Sequence, residues 1–395
     1  MKRFICIFVL ILSISGPQAL AQVTEGDIAR KQLDLGVFLL KEEAKRGPNI
    51  TVSPYSIHSA LMLLRLGARG RTATLLDTKL LPAPFASDLQ GVYATMNSQI
   101  VRSGEFVTSR LANSVWLANG YDVQKSYVAD STRIFESEPR NIAFSPPDTA
   151  RGKINTWVSS ATNALIPSLL PPGSVTELTT CVLVNALYFK AAWLTHFEKK
   201  ATKEGEFWTN PATPVKVAMM HKTENMDYFE DGEWQGVRLP YQGFDFTFVV
   251  LVPKKRLSVG EVAEGLSSEL LTKALGDIDY AKVTLSLPRL KVRFGTELLS
   301  QLSAYGLGDF QGGDYSGISA RGVGGIGQIL HEAVVSVDEE GTEAAAATAI
   351  TMTRGAFMPH TPEPKEVKVD RPFVFALVHR PSRAPLFVGL VSDPR

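Results

Sequence analysis

Cysteine is nearly absent from this chain: its 395 residues hold two, Cys6 and Cys181. Histidine is scarce too, with six copies, and neither sign of charge prevails, 41 Lys and Arg standing against 40 Asp and Glu. Each scarcity removes a class of function. No histidine has metal-ligand spacing to a cysteine or to another histidine, and His331-Glu332 runs on into Ala333-Val334-Val335 instead of a zinc-protease motif. There is no Gly-x-Ser-x-Gly elbow and no Walker phosphate loop, so esterase and nucleoside-triphosphatase chemistry have no anchor. A nearly neutral chain has no global attraction for nucleic acid or acidic polymers. The expectation is a protein that is not an enzyme and carries neither metal nor cofactor.

At the N-terminus, Met1-Lys2-Arg3 precedes an apolar stretch from Phe4 to Ile14. Ser15-Gly16-Pro17 relaxes it, and Ala19-Leu20-Ala21 offers a small-x-small cleavage site. That order predicts a secretory signal peptide over residues 1–21. The stretch is too short for a membrane anchor, and no later segment is long and apolar enough to span. The final Ser392-Asp393-Pro394-Arg395 is no endoplasmic-reticulum retention signal. A secreted, extracellular protein of residues 22–395 is expected, with no membrane or nucleic-acid partner. Loss of Lys2 and Arg3 turns the formal charge of +1 slightly negative. Loss of Cys6 leaves Cys181 alone, so no internal disulfide can form and a large apolar core must hold the fold.

No repeat, low-complexity tract or long linker divides the chain, which predicts one domain. The first half reads as mostly helical. Residues 28–46 carry an apolar face through Ile28, Leu35, Phe38 and Leu39, and Gly47-Pro48 stops it. Ser53-Pro54 is a capping serine with proline at the first helical position, opening a helix through Leu61, Leu64 and Leu66. Asp148 is expected to cap another, containing Ile154, Trp157 and Leu165. The second half turns to β-branched and aromatic runs: Cys181–Val184, Phe244–Val252, Val283–Leu287, Phe373–Val378 and Pro385–Val391. Helices and strands fall in blocks without strict alternation, which argues an α+β fold.

One nucleotide-like motif occurs, Gly322-Val323-Gly324-Gly325-Ile326-Gly327. A dinucleotide fingerprint needs a strand before it and a helix after it. Here a Ser-Gly-rich loop precedes and the β-branched Val334-Val335-Ser336-Val337 follows, so a loop is the better reading.

Residues 339–353 read Glu-Glu-Gly-Thr-Glu-Ala-Ala-Ala-Ala-Thr-Ala-Ile-Thr-Met-Thr. Alanine favours helix, yet threonine and isoleucine recur through the run. Taken with period two, one face is Thr342, Ala344, Ala346, Thr348, Ile350 and Met352, which can be buried. The other, from Glu343 through Ala345, Ala347 and Ala349 to Thr351 and Thr353, tolerates solvent. The segment can sit in a loop, coil locally or enter a sheet, and its small side chains lower the steric barrier to threading between packed strands.

The stretch from Glu339 to Ala349 resembles the hinge of an inhibitory serpin, and other stretches agree with that family in order. Asn49–Ile57 with Leu66-Gly67-Ala68-Arg69-Gly70 resembles its shutter strand and helix. Asn185–Lys190 with Trp193 and Phe197 resembles its breach region. Asp314–Ser319, His331, Pro372–Phe375 and Pro385–Gly389 match as well. The resemblance implies a serpin fold of three β-sheets and about nine α-helices, with an exposed reactive-centre loop near residues 340–366. It implies a suicide-substrate inhibitor: a serine endopeptidase attacks the loop, forms an acyl-enzyme, and is dragged along as the freed strand enters the large sheet. A monomer is expected, with a covalent protease complex as its functional state.

The hinge residues so implied are Glu339, Gly341, Thr342, Glu343, Ala344, Ala345, Ala346 and Ala347. Charged, bulky or proline residues would block strand entry; no proline occurs between Gly341 and Pro359, which favours inhibition over a carrier or chaperone role. Family spacing places the scissile residue at Gly355 or one before it. Arginine offers a charge and a bidentate donor where glycine offers almost nothing, so Arg354-Gly355 and a trypsin-like target are expected. About six extra residues before Glu366 keep Phe357-Met358 open for a chymotrypsin-like enzyme and Gly355-Ala356 for an elastase. By resemblance His331, Ser53, Ser56 and Asn185 form a shutter network that restrains sheet opening. The sequon Asn49-Ile50-Thr51 falls in the shutter strand, which argues against a glycan. The basic clusters Lys254-Lys255-Arg256 and Arg289, Lys291, Arg293 read as solvated faces, with glycosaminoglycan binding left open.

Overall fold

Thr24 opens the first helix: its hydroxyl accepts from the Asp27 amide while the Asp27 carboxylate reaches back, a reciprocal capping box. The computed structural model describes residues 23–83, 89–276, 278–308, 310–342 and 363–395. Among the described residues the α-helices are α1 (Glu25–Glu43), α2 (Pro54–Gly67), α3 (Gly70–Leu80), α4 (Leu89–Ile100), α5 (Lys125–Phe135), α6 (Pro147–Ala161), α7 (Val259–Gly265), α8 (Ser268–Leu275) and α9 (Leu299–Leu302). Helix α2 starts as its sequence dictates, Ser53 accepting from the Ser56 amide with Pro54 at the first helical position. Two expectations at α6 fail. Asp148 lies inside its first turn, because Pro146-Pro147 sets the start, and Leu165 lies beyond its end, where Asn163 and Ala164 take positive φ of 53° and 62°.

The strands are β1 (Asn49–Val52), β2 (Arg102–Ser103), β3 (Val107–Ala118), β4 (Arg140–Ile142), β5 (Cys181–Ala192), β6 (Lys203–Asn210), β7 (Thr213–Glu230), β8 (Trp234–Pro240), β9 (Phe246–Pro253), β10 (Asp279–Pro288), β11 (Leu290–Glu297), β12 (Gln328–Val337), β13 (Gly341–Thr342), β14 (Lys365–Lys368), β15 (Phe373–His379) and β16 (Pro385–Val391). One hydrogen-bonded network runs β1-β16-β15-β9-β8-β7-β10-β14 with β6 on β7. It comprises two sheets sharing one long strand: β7 pairs with β6 and β10 over most of its 18 residues and with β8 at Asp227–Glu230. The third sheet runs β11-β12-β13-β5-β3-β2 with β4 on β3.

That third sheet positions the site. Its strands alternate between two cores, as a pleat requires. Leu183, Leu187, Phe189, Ala333 and Val335 join the main core with α2, whereas Val182, Val184, Ala186, Leu330 and Val334 face a second core beneath α6. There Trp116 packs edge-on against Trp157, ring centroids 5.8 Å apart. The Gly322–Gly327 segment is a loop, leading straight into β12. Gly325 cannot be replaced there, since a Cβ would sit 2.4 Å from the Gln311 carbonyl oxygen.

Candidate functional site

At the end of β12 the chain makes a tight turn. The Asp338 amide donates to the Gly341 carbonyl at 3.0 Å, and the Asp338 carboxylate accepts from the Glu340 amide at 2.9 Å. The turn sends β13 back antiparallel to β12, with Thr342 opposite Val337, and also antiparallel to β5, with Gly341 opposite Ala192 and Thr342 opposite Ala191. Further down, β12 and β5 are direct parallel neighbours, from Gln328↔Val182 to Ala333↔Leu187. The two strands therefore lie one strand spacing apart at Ala333 and two apart at Val337, roughly 4.8 Å against 9.6 Å. The gap between them is wide at Val337 and closed at Ala333, and Gly341 and Thr342, the described tip of β13 and expected from the sequence to belong to the hinge, sit at its wide end.

The tip is fitted closely. A Cβ at Gly341 would lie 2.0 Å from the Ala191 carbonyl oxygen, so only glycine passes. Thr342 is 1% exposed and its hydroxyl meets that of Tyr241 at 2.5 Å. Trp193 stacks on Tyr241 with centroids 4.5 Å apart, and its indole N–H donates to the Asp338 carbonyl at 2.9 Å. Glu339 is buried against Arg289, whose Nε and Nη2 donate to it at 2.8 and 2.6 Å, and against the Thr202 hydroxyl. Burial opposes ionisation of Glu339, but the Arg289 and Thr202 hydrogen bonds outweigh it and hold its carboxyl below the usual range. Glu340 pairs with Lys199 at 2.9 Å and approaches His196 Nδ1 at 3.2 Å.

At the closed end, the structure brings together Ser53, Ser56, Asn185 and His331, all buried. The Ser53 backbone amide donates to His331 Nε2 at 3.1 Å, which fixes the tautomer: Nδ1 carries the proton and donates to Asn185 Oδ1 at 2.6 Å. The Asn185 amide donates in turn to Ser56 Oγ and, at 2.6 Å, to Asn113 Oδ1. The cluster ties α2, β3, β5 and β12 together where β12 and β5 touch, His331 lying directly opposite Asn185. Burial pushes the His331 pKa down to about 3, so the ring is neutral.

Glu343, Ala344, Ala345, Ala346, Ala347, Arg354, Gly355, Phe357 and Met358 lie outside the described residues. The sequence reading passed over Asn113 and Tyr241 and met Arg289 only as one of a basic run. Arg289 and Arg293 are instead paired, with Glu339 and Glu332 respectively. Asn113 sits in β3, whose mixed composition hid the strand. Asn49 spends its side-chain amide on the C-terminal segment, donating to the Asp393 carbonyl and accepting from the Ser392 amide at 2.9 Å. Among the described residues no cluster suits a metal ion, and no helix is long and apolar enough to cross a membrane.

These features define a mixed α+β fold whose large sheet seats the short β13 between β12 and β5. The family model described as Serpin (serine protease inhibitor) matches residues 30–394, and the chain belongs to that family. It is 32% identical to a leukocyte elastase inhibitor of Bos taurus over 93% of this chain and 98% of the relative. Among solved structures it is similar to the thermophilic serpin tengpin in its native state, with a TM-score of 0.83 and 27% identity over 96% of this chain and 97% of that one. Serpin48 of the insect Tenebrio molitor superposes with a TM-score of 0.82 at 25% identity, covering 94% and 98% of the two chains.

Proposed function

We propose that this serpin is a secreted suicide-substrate inhibitor of serine endopeptidases, cut after Arg354 by a trypsin-like enzyme. The observation that carries the reading is β13, seated antiparallel between β12 and β5 with its tip at Thr342. Continued in that register, Ala346 falls between Ala333 and Leu187, and Thr348 between His331 and Asn185. Insertion exchanges the parallel β12–β5 ladder for two antiparallel ones, which are more stable per residue. The buried face of the new strand is then Ala344, Ala346, Thr348 and Ile350, small at the wedge and apolar beyond it. A tethered protease loses its catalytic geometry, a loss of order 10⁶ in rate that turns milliseconds of acyl-enzyme lifetime into an hour or so. Residues 1–21 supply the export signal.

Mass spectrometry of the C-terminal peptide released by trypsin, chymotrypsin and elastase tests the bond. A peptide beginning at Gly355 is expected with trypsin. One beginning at Met358 or at Ala356 replaces the trypsin-like assignment; an elastase-like target is the second reading, favoured by the similarity to a protein named as an elastase inhibitor.

The His331 cluster is the latch on the parallel ladder. His331→Ala leaves the Ser53 amide and Asn185 Oδ1 buried without partners, at a cost of about 1–3 kcal/mol each. It is expected to lower the melting temperature and to promote polymerisation on mild heating; a variant that stays monomeric and fully inhibitory contradicts the latch. The pH dependence has a defined sign. The native ring takes a proton only near pH 3, whereas a released ring does so below about 6.5. The latch is at full strength above pH 6.5 and is lost as pH falls from there toward 3. Polymerisation of the wild type is expected to accelerate across that window, by up to about tenfold per pH unit. His331→Asn should flatten this slope, leaving the part due to His58 and His379, both also pushed down to about 4.

A further inference from the structure

Helices α2 and α4 are joined by buried polar side chains. Tyr55 and His58 stand three residues apart on α2, and Tyr93 and Asn97 four apart on α4, so each pair shares a helix face. All four are buried. The Tyr55 hydroxyl donates to Asn97 Oδ1, the Asn97 amide donates to the Ile134 carbonyl of α5, and the Tyr93 hydroxyl meets His58 Nδ1. The tautomer of His58 follows from its other nitrogen. Nε2 lies 2.8 Å from the Leu80 carbonyl at the end of α3, which can only accept, so Nε2 carries the proton. Nδ1 is then an acceptor, and the Tyr93 hydroxyl donates to it. Gln32 of α1 lies fully buried within reach of that hydroxyl, with neither of its polar atoms in a well-formed hydrogen bond among the described residues.

We propose that His58, Tyr93 and Gln32 form a proton-operated joint: one proton taken up at His58 Nδ1 turns the Tyr93 hydroxyl onto Gln32 Oε1 and loosens α4 from α2. In the neutral joint the hydroxyl hydrogen points at His58. Once Nδ1 is protonated, two donors face each other, and the hydroxyl can yield only to a second acceptor. Gln32 Oε1 is that acceptor, so the proton enters without a donor clash. Its charge, however, finds no counter-ion. Around the ring, α4 presents Tyr93, α3 the Leu80 carbonyl, and α5 places Phe135 against the Tyr93 ring. The carboxylates of these helices act elsewhere: Asp77 of α3 is tied to Arg65, Glu25 of α1 accepts from Gln99, and Glu136 acts on Tyr55. The charged group that does act on the ring, Lys31 of α1, repels a second positive charge. Burial therefore pushes the His58 pKa down to about 4, with the Leu80 hydrogen bond opposing and Lys31 assisting. A ring released to water takes its proton near 6.5. The seat of α4 is at full strength above about pH 6.5 and weakens as pH falls from there toward 4. Ser56, which accepts from Asn185, precedes His58 by two residues, so a looser α2 reaches the cluster that holds β12 to β5. The joint stands independently of the protease-trap reading.

The test is hydrogen exchange of the purified protein between about pH 7 and 4, read as protection factors of the α4 amides so that the intrinsic pH dependence of exchange divides out. Protection is expected to fall by up to about tenfold per pH unit below 6.5. His58→Gln, which keeps a donor for the Leu80 carbonyl and cannot titrate, should flatten that slope, whereas His331→Asn should leave it. Gln32→Glu supplies an acceptor and a counter-charge together. It should raise the titration midpoint of the His58 ring, read by NMR, and flatten the slope as well. Gln32→Leu removes the acceptor and should lower the midpoint. Constant protection of α4 across the window in the wild type, or a slope that survives His58→Gln, overturns the joint. A midpoint unmoved by both Gln32 variants overturns the turning of the Tyr93 hydroxyl. Should His58→Gln fail to fold, Gln32→Glu decides alone, and a slope as steep as that of the wild type overturns the joint. Failure of the trap reading looks different: the slope intact, but no covalent protease complex.

Discussion

Thr342→Arg is expected to abolish the covalent complex with the target protease while leaving the loop cleavable. Thr342 is the first side chain buried between β12 and β5, 1% exposed, with Tyr241 across from it. An arginine inserted there loses its water and gains no carboxylate in exchange. Burying an unpaired charge costs several kcal/mol, and each 1.4 kcal/mol slows a step tenfold. The first step of insertion should therefore slow by about a thousandfold, while hydrolysis of the acyl-enzyme keeps its normal speed and wins. Incubation with the variant should return fully active protease and stoichiometrically cleaved serpin, read by residual activity and a denaturing gel. Thr342→Ser, which keeps the hydroxyl, should still trap. A full yield of complex from Thr342→Arg would mean that insertion does not begin at this seat.

The second large effect is on stability. Cleavage in the reactive-centre loop is expected to raise the melting temperature by about 20 °C or more. In the uncleaved chain β12 and β5 share a short parallel ladder, and among the described residues β13 places Gly341 and Thr342 in the sheet. A freed strand of residues 343–353 would add two antiparallel ladders in place of that one. At about 0.5–1.5 kcal/mol net per hydrogen bond this amounts to roughly 10 kcal/mol. The native state is then metastable, held by its barrier instead of its free energy. Scanning calorimetry before and after limited proteolysis reads the shift directly. An unchanged or lowered melting temperature would place this chain with serpins that do not insert.

Much of this was legible in the sequence, for identifiable reasons. Ser53-Pro54 announces α2 because capping is local chemistry, and Phe373–Val378 and Pro385–Val391 announce β15 and β16 because strands buried on both faces read as unbroken apolar runs. Helix α6 was misplaced at both ends because Asp148 resembles a cap only if the preceding prolines are ignored. Strands β3 and β7 were hidden: Val107–Ala118 mixes Asn113, Ser114 and Arg110 with its apolar residues, and Thr213–Glu230 is polar along the face it shows to solvent. The site divides the same way. His331, Asn185, Ser53 and Ser56 were found through resemblance to a family pattern, since nothing local says that residues so far apart will touch. Asn113, Tyr241 and the Arg289–Glu339 pair depend on strand register alone, and register is a tertiary property.

The most direct test of strand-insertion trapping is a denaturing gel of the purified protein mixed with trypsin, chymotrypsin or elastase. A band at the combined mass of serpin and protease that survives boiling in detergent and reductant is the predicted result, strongest with trypsin. Cleaved serpin beside intact, active protease in every lane would contradict it and leave a serpin frame without the trap.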